Sequence, residues 1–448
     1  MAKKVYPSYE FPLLLKCDKK KTKDFPVDEF SKLPDEIVVS IVSLMTLEEA
    51  ARTSVLSRRW RYLWTFTTGS LDFDNSFFCR RVENSYLEER NRFVRWVNGV
   101  LRLHRGLTIN EFKVCFSLNE KHFKLDIENW ISFSLRKKVK RLILDLGSIK
   151  PFNFSVVRQY TLTAQFLCNY HLDSLTTLYL SCVQVTGEVV EYVLSNCPFL
   201  EVLSVTASAS LVNLKPSGPL LNLKHLEISC CVYLKSLEIS AINLLSFKYC
   251  GKKTRILLGD VPNIVEVSYS YEYACSLVSN SRLRPRYLRK VETLSLDLSL
   301  MHFQCIPKFR KFRNLRQLKL TVRGFGLETL LGYTSLLEAC PFLHTFAVKL
   351  IGLYGPAGEM KAREVEYPHQ FLSVFELRGF LGSAIDMEFA LYVLTNAVSL
   401  HKIIIDTRCP HAEEMLWDSR DYRLKEWATA RARELKKRIP PGVELMLL

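Results

Sequence analysis

At 448 residues with 48% hydrophobic and 12% aromatic content, the chain is too long for one compact core and rich enough in apolar residues to bury several contiguous layers, which excludes a largely disordered protein. Its 62 basic against 46 acidic side chains give a formal charge of +16, an excess that invites nucleic acid or another anionic ligand, because clustered cations gain affinity by releasing phosphate counterions. The basic residues crowd at 282–290, 308–319 and near the C-terminus, where Glu413, Glu414, Asp418, Asp421, Glu426 and Glu434 partly neutralise them, so a solvated basic surface is the plainer reading.

In chain order, residues 1–27 interleave Lys3, Lys4, Lys16, Lys19, Lys20, Lys21 and Lys23 with Asp18 and Asp24 and read as a flexible tail. The apolar run at 11–15 is too short for the core of a secretory signal, and nothing approaches the roughly eighteen apolar residues of a membrane helix. The thirteen cysteines form no CxxC pair, and Cys115, Cys182, Cys197 and Cys340 lie in apolar runs. They read as small buried hydrophobes in a reducing compartment. The expectation is a soluble intracellular protein, in nucleus or cytoplasm, with no membrane partner.

Residues 28–75 predict a small module of three helices. Pro34 suits a first helical position, and Asp35 and Glu36 complement the positive end of a helix that then carries Ile37, Val38, Ile41, Val42 and Met45 as an apolar stripe. Thr46 with Glu49 forms a capping box for a second helix bearing Ala50, Ala51 and Val55. Ser57 can cap a third, with Arg58, Arg59, Trp60, Leu63 and Trp64. So small a module cannot cover its own stripe, which must dock either on the rest of this chain or on a separate protein.

Residues 76–138 read as a helical linker, with a helix from Tyr86 to Leu103, and a first irregular repeat. From 139 to 350 short apolar strands recur. Leu144, Leu180, Val205, Ile228, Val267, Leu296, Leu320, Val348, Leu377 and Ile405 occupy equivalent LxL positions, most of them about 23 to 29 residues apart, the period of leucine-rich repeats. The wider gaps, Leu144 to Leu180 and Ile228 to Val267, leave room for an irregular unit each; Leu237 with Ile239, and Phe247, are candidate strands in the second. CPFLEVLSV at 197–205 and CPFLHTFAV at 340–348 nearly repeat each other, which implies a recurring unit whose proline ends a helix and whose leucine starts an inward ladder. Such units bury their apolar faces only by stacking, as a curved solenoid. The residues between ladder positions would line its concave sheet: Thr177, Tyr179 and Ser181; His225, Glu227 and Ser229; Gln317, Lys319 and Thr321; Val374, Glu376 and Arg378. An ordinary solvated strand face fits any one of them equally well.

Residues 351–410 contain a strand, a turn at Gly379 and Gly382, a helix from Asp386 to Asn396 whose Phe389, Ala390, Val393, Leu394 and Ala397 suit a core, and a second strand. Within 411–448 an amphipathic helix at 412–438 can cap the solenoid, followed by a tail. No phosphate-cradling glycine loop, GxSxG elbow or metal-ligand spacing is present, and the nine histidines are scattered singly. No cofactor, metal or catalytic residue is implied.

The run LPDEIVVSIVSLMTLEEAARTSVLSRRWRYLW, 33–64, resembles an F-box of the plant F-box, leucine-rich-repeat and FBD family, and 369–406 resembles its FBD domain. The resemblance implies an α/β chain with a three-helix F-box, a leucine-rich-repeat solenoid with a curved parallel sheet, an FBD-type segment and a C-terminal helix. It also implies a function: the non-catalytic, substrate-recognition subunit of an SCF-type ubiquitin ligase, binding a Skp-type adaptor, and cullin through it, while the repeats hold a target protein. By the same resemblance Leu33, Pro34, Ile37, Val38 and Ile41 contact the adaptor, and Trp60 and Leu63 pack the end of the motif, partly against the adaptor and partly internally. Met45 and Thr46 stand where many relatives have leucine and proline; threonine caps better, so the helix entry changes and adaptor binding survives. The alternative is a basic repeat scaffold for nucleic acid or an anionic cofactor such as an inositol polyphosphate.

Overall fold

The computed structural model describes residues 32–74, 86–147, 159–218, 220–279, 285–300, 311–323, 330–351, 368–408 and 421–448. The tail at 1–27, Arg282 and Arg284 lie outside them. Helix α1 (Asp35–Val42) follows Pro34 with both first-turn carboxylates in place. Helix α2 (Leu47–Arg52) starts at the expected capping box: Thr46 Oγ1 accepts the Glu49 N–H at 3.3 Å and the Glu49 carboxylate accepts the Thr46 N–H at 3.0 Å. The third helix is corrected. Ser57 Oγ does accept the Trp60 N–H, at 3.3 Å, but the segment runs through turns into a 3₁₀ helix, Leu63–Phe66. Aromatic residues favour helix weakly, and burying Trp60, Leu63 and Trp64 in the shared core overrides that preference.

Strand β1 (Ser70–Phe73) opens a sheet well ahead of the boundary at 139 read from the sequence. Then come α3 (Tyr86–Leu103), β2 (Glu111–Cys115), α4 (Glu120–Arg136), β3 (Arg141–Asp145), α5 (Ala164–Leu167), β4 (Thr177–Ser181), α6 (Gly187–Asn196) and β5 (Val202–Thr206). The middle of the chain uses short strands in place of helices: β6 (Asn213–Leu214), β7 (His225–Ser229), β8 (Ser236–Ile239), β9 (Ser246–Cys250), β10 (Arg255–Leu258) and β11 (Glu266–Ser270). Helices return with α7 (Tyr271–Ser279), then β12 (Thr293–Asp297), β13 (Gln317–Arg323), α8 (Thr334–Glu338), β14 (Thr345–Ile351), β15 (Val374–Arg378), α9 (Ala384–Asn396), β16 (Lys402–Asp406), α10 (Asp421–Lys436) and β17 (Glu444–Leu447).

Among the described residues fourteen strands form one sheet in chain order, β1-β2-β3-β4-β5-β7-β9 and then β11 through β17, every neighbouring pair parallel. Inward residues stack in register, as Leu142–Leu178–Leu203–Leu226–Phe247 do, and all are buried. Parallel strands with a helix or short strand between them can bury one face only by stacking units, so the apolar ladder is continuous. Cys182, Ala207 and Cys230 follow β4, β5 and β7 with φ of 55°, 57° and 56°. Each turns the chain off the sheet while its N–H donates to the next strand's last carbonyl, at 2.9, 2.9 and 2.6 Å.

The two wide gaps are filled differently. Between Leu144 and Leu180 the described residues hold α5 and Thr161, which bridges to Gln184, while β3 pairs directly with β4. Leu237 and Ile239 do form a strand, but in a separate three-stranded parallel sheet, β10-β8-β6, which carries on the layer of helix α6; Phe247 alone of that set joins the main sheet. The C-terminal tail is likewise a strand. β17 closes the edge beside β16, and α10 buries Ala428, Ala432 and Leu435 behind it.

Candidate protein-docking surfaces

The N-terminal module divides its apolar residues between two jobs. On α1, Val38 and Val42 are sealed, while Pro34 and Ile37 on the adjoining stripe are exposed and Ile41 and Leu33 are half-buried. Arg59 holds the start of the helix, donating to Asp35 at 2.7 Å and to the Leu33 carbonyl. Leu44, Val55, Leu56, Tyr62 and Phe66 are also exposed. Of the residues expected to meet the adaptor, Val38, Trp60 and Leu63 are buried against the chain's own core, the internal packing that the resemblance also implied for Trp60 and Leu63. Leu44 and Leu56 escaped the sequence reading; their signal was an apolar residue in a polar turn just past each helix.

The module is fastened to the sheet. The Thr68 N–H donates to Ser43 Oγ at 3.0 Å, and at Gly69 an added Cβ would lie 1.9 Å from the Ser43 carbonyl oxygen, so only glycine permits this approach.

All twelve residues expected on the open face of the sheet lie there, in three rows set by the register. Thr177, His225, Gln317 and Val374 share the first row; Tyr179, Glu227, Lys319 and Glu376 the second; Ser181, Ser229, Thr321 and Arg378 the third. His225, Lys319 and Arg378 are exposed. Thr177 and Ser229 are buried between neighbours; the others are half-buried. A depression of about 240 Å³ in the middle of this face is lined by Tyr179, Ser204, His225, Glu227 and Lys248, a set that both donates and accepts hydrogen bonds.

Charges of both signs lie on this face, and ion pairs join neighbouring strands across it. Lys113 pairs with Asp72 at 2.9 Å, Arg141 with Glu111 at 2.9 Å, Lys248 with Glu227 at 2.8 Å and Lys402 with Glu444 at 3.5 Å. A polyanion needs a continuous basic stripe, whereas this pattern suits a partner with charges of both signs. Near its edge Cys230 Sγ lies 4.0 Å from Cys250 Sγ; their contact holds the Cys230 thiol below the usual range and pushes Cys250 up. No helix among the described residues is long and apolar enough to cross a membrane.

A small helical module with an uncovered apolar stripe, locked to a parallel one-strand-per-unit sheet, defines an F-box protein with a leucine-rich-repeat solenoid. The F-box domain model matches residues 30–66, and the leucine-rich-repeat domain model of At1g61320/AtMIF1 matches 100–438. The chain belongs to the plant F-box, leucine-rich-repeat and FBD family. Among its Arabidopsis thaliana relatives, the F-box/FBD/LRR-repeat protein At1g13570 is 32% identical over 54% of each chain. The chain thus spans about half the length of that relative. The putative FBD-associated F-box protein At1g61330 is 27% identical over 71% of this chain and 75% of its own. The F-box/FBD/LRR-repeat protein At1g78750 is 25% identical over 85% and 90%.

Proposed function

We propose that the chain is the non-catalytic, substrate-recognition subunit of an SCF-type ubiquitin ligase. The observation that carries this reading is the split within the F-box: Val38, Val42, Trp60 and Leu63 are covered by the chain itself, whereas Ile37, Leu44, Val55 and Leu56 remain exposed. A module anchored by one apolar face and open on another suits a linker between two proteins. Pro34, Ile37, Leu44 and Leu56, with Leu33 and Ile41 at the margin, dock the Skp-type adaptor and through it cullin. The open sheet face, centred on Tyr179, His225, Glu227 and Lys248, holds a target protein, and its charges of both signs select the partner and its register. The chain acts by raising the effective concentration of target lysines at the conjugating enzyme, with no chemistry of its own. Residues 351–410 serve as the FBD segment and extend the recognition surface through Glu376 and Arg378. Capture of the purified adaptor tests the reading: wild type should retain it and an Ile37→Asp, Leu56→Asp double variant should release it. Equal recovery by a folded double variant overturns the proposal.

A further inference from the structure

A second recognition site arises where the fold changes its own rule. Behind the main sheet, α6 gives way to β6, β8 and β10, which pair in parallel, and the next unit returns to a helix, α7. A helix cannot hydrogen-bond a strand edge, so the outer side of β10 has no strand beside it among the described residues. The Arg255 N–H donates to the Lys235 carbonyl at 3.3 Å and the Gly259 N–H to that of Ile239 at 2.7 Å. That alternation turns the N–H groups of Ile256 and Leu258 the other way. Between this edge, α7 and the 3₁₀ turn Arg286–Arg289 lies a cavity of about 640 Å³. Its apolar wall includes Ile256, Leu258, Tyr273, Leu277 and Tyr287. Lys253, Arg255, Arg286 and Lys290 stand at it against a single lining carboxylate, Asp260; all four cations are exposed, and the one other carboxylate that Arg255 is shown to feel, Glu238 on β8, is already paired with Lys215 at 2.8 Å.

We propose that this groove binds an extended peptide segment of a partner protein, with alternating apolar and acidic side chains, added as a further strand on β10. The unpaired backbone edge supplies main-chain hydrogen bonds, the apolar wall takes every second side chain, and the cations take the acidic ones between. A cavity of this size belongs to the range of ligand sites, and the charge excess selects for acid over base. The site lies on the helical layer, away from the open sheet face and the F-box, so it stands independently of the adaptor reading.

The test uses a fluorescein-labelled, end-capped peptide of seven alternating glutamates and valines, titrated into the 448-residue chain by fluorescence anisotropy. Saturable binding is expected. It should weaken at least tenfold in an Arg255→Glu, Lys290→Glu variant, at least tenfold when alternate peptide nitrogens are methylated, and at least tenfold when lysine replaces glutamate. A Ser276→Trp variant, filling the groove from α7, should abolish it, with unchanged circular dichroism and thermal unfolding showing that both variants fold. Absence of saturable binding, or binding within twofold after charge reversal or N-methylation, overturns the proposal. Equal affinity for polyglutamate overturns it too, since that would mark a plain anion patch without strand pairing.

Discussion

Truncating the exposed F-box residues should separate docking from folding. Ile37, Leu44 and Leu56 are 47%, 89% and 65% exposed, so most of their apolar surface is open to the proposed adaptor. Full burial of such a side chain contributes about 1.5–3 kcal/mol, and scaling by exposure leaves roughly 3–6 kcal/mol for the three together. Alanine keeps part of each side chain, so the triple variant should lose about 2–4 kcal/mol of docking energy, roughly a thirty- to several-hundred-fold weaker adaptor complex. Calorimetric titration with purified adaptor reads that loss. Thermal unfolding of the same variant should stay within about 0.5 kcal/mol of wild type, because no core contact is removed. Val38→Ala is the counterpart: wholly buried, it should cost about 2 kcal/mol of stability. Affinity within threefold of wild type for the triple variant, or destabilisation matching that of Val38→Ala, would refute the division between an inner and an outer stripe.

Asn98 accepts from Trp130 Nε1 at 2.7 Å and donates to Asp126 at 2.7 Å; Asn98→Leu should strand the buried indole N–H and lower stability by about 1–3 kcal/mol, read from the denaturant midpoint. Gly69→Ala should lower the unfolding temperature and expose the F-box to protease, because the Ser43 carbonyl must move; an unchanged digestion pattern would argue that the seam is loose. Burial holds the His104 and His369 pKa values below the usual range, with the Thr67 carbonyl opposing at His104 and Lys137 reinforcing. The unfolded chain therefore binds more protons, so their contribution is full above about pH 6.5 and declines as pH falls below it toward the depressed folded values. Melting curves between pH 8 and 5 should show this, and His104→Gln should flatten part of the slope. Iodoacetamide should modify Cys230 before Cys115, whose thiol burial pushes up to about 11, and Cys250→Ala should slow the reaction; an unaltered rate would discount the thiol pair.

Most of the solenoid was legible because its signal is periodic. A residue such as Leu180 or Val348 sits where a fixed spacing requires it, and the inward ladder imposes that spacing on every unit. The missed strands lack a second LxL neighbour at the right distance: β1 is four residues long and is separated from β2 by α3, and β17 stands alone after α10. The split in the F-box was hidden for another reason. Val38 and Ile37 are chemically alike and adjacent, and which of them turns inward is decided by how α1 packs against the 3₁₀ helix Leu63–Phe66. Thr177 and Ser229 were read correctly as to face, but their exposure depends on the bulk of side chains in neighbouring strands, which pattern within one strand does not report.

The clasp at Ser43, Thr68 and Gly69 makes the F-box a fixed handle on the sheet, and the sheet advances one strand per unit. Strand number then acts as a graduated scale. With about 4.8 Å per step, a cargo held at the C-terminal edge sits roughly 60 Å further along the arc than one held beside the handle. Under the proposed function, which lysines come within reach of the transferring enzyme would follow from where on that scale the cargo is clamped, so lengthening or shortening the stack by a unit should redirect modification without altering either grip.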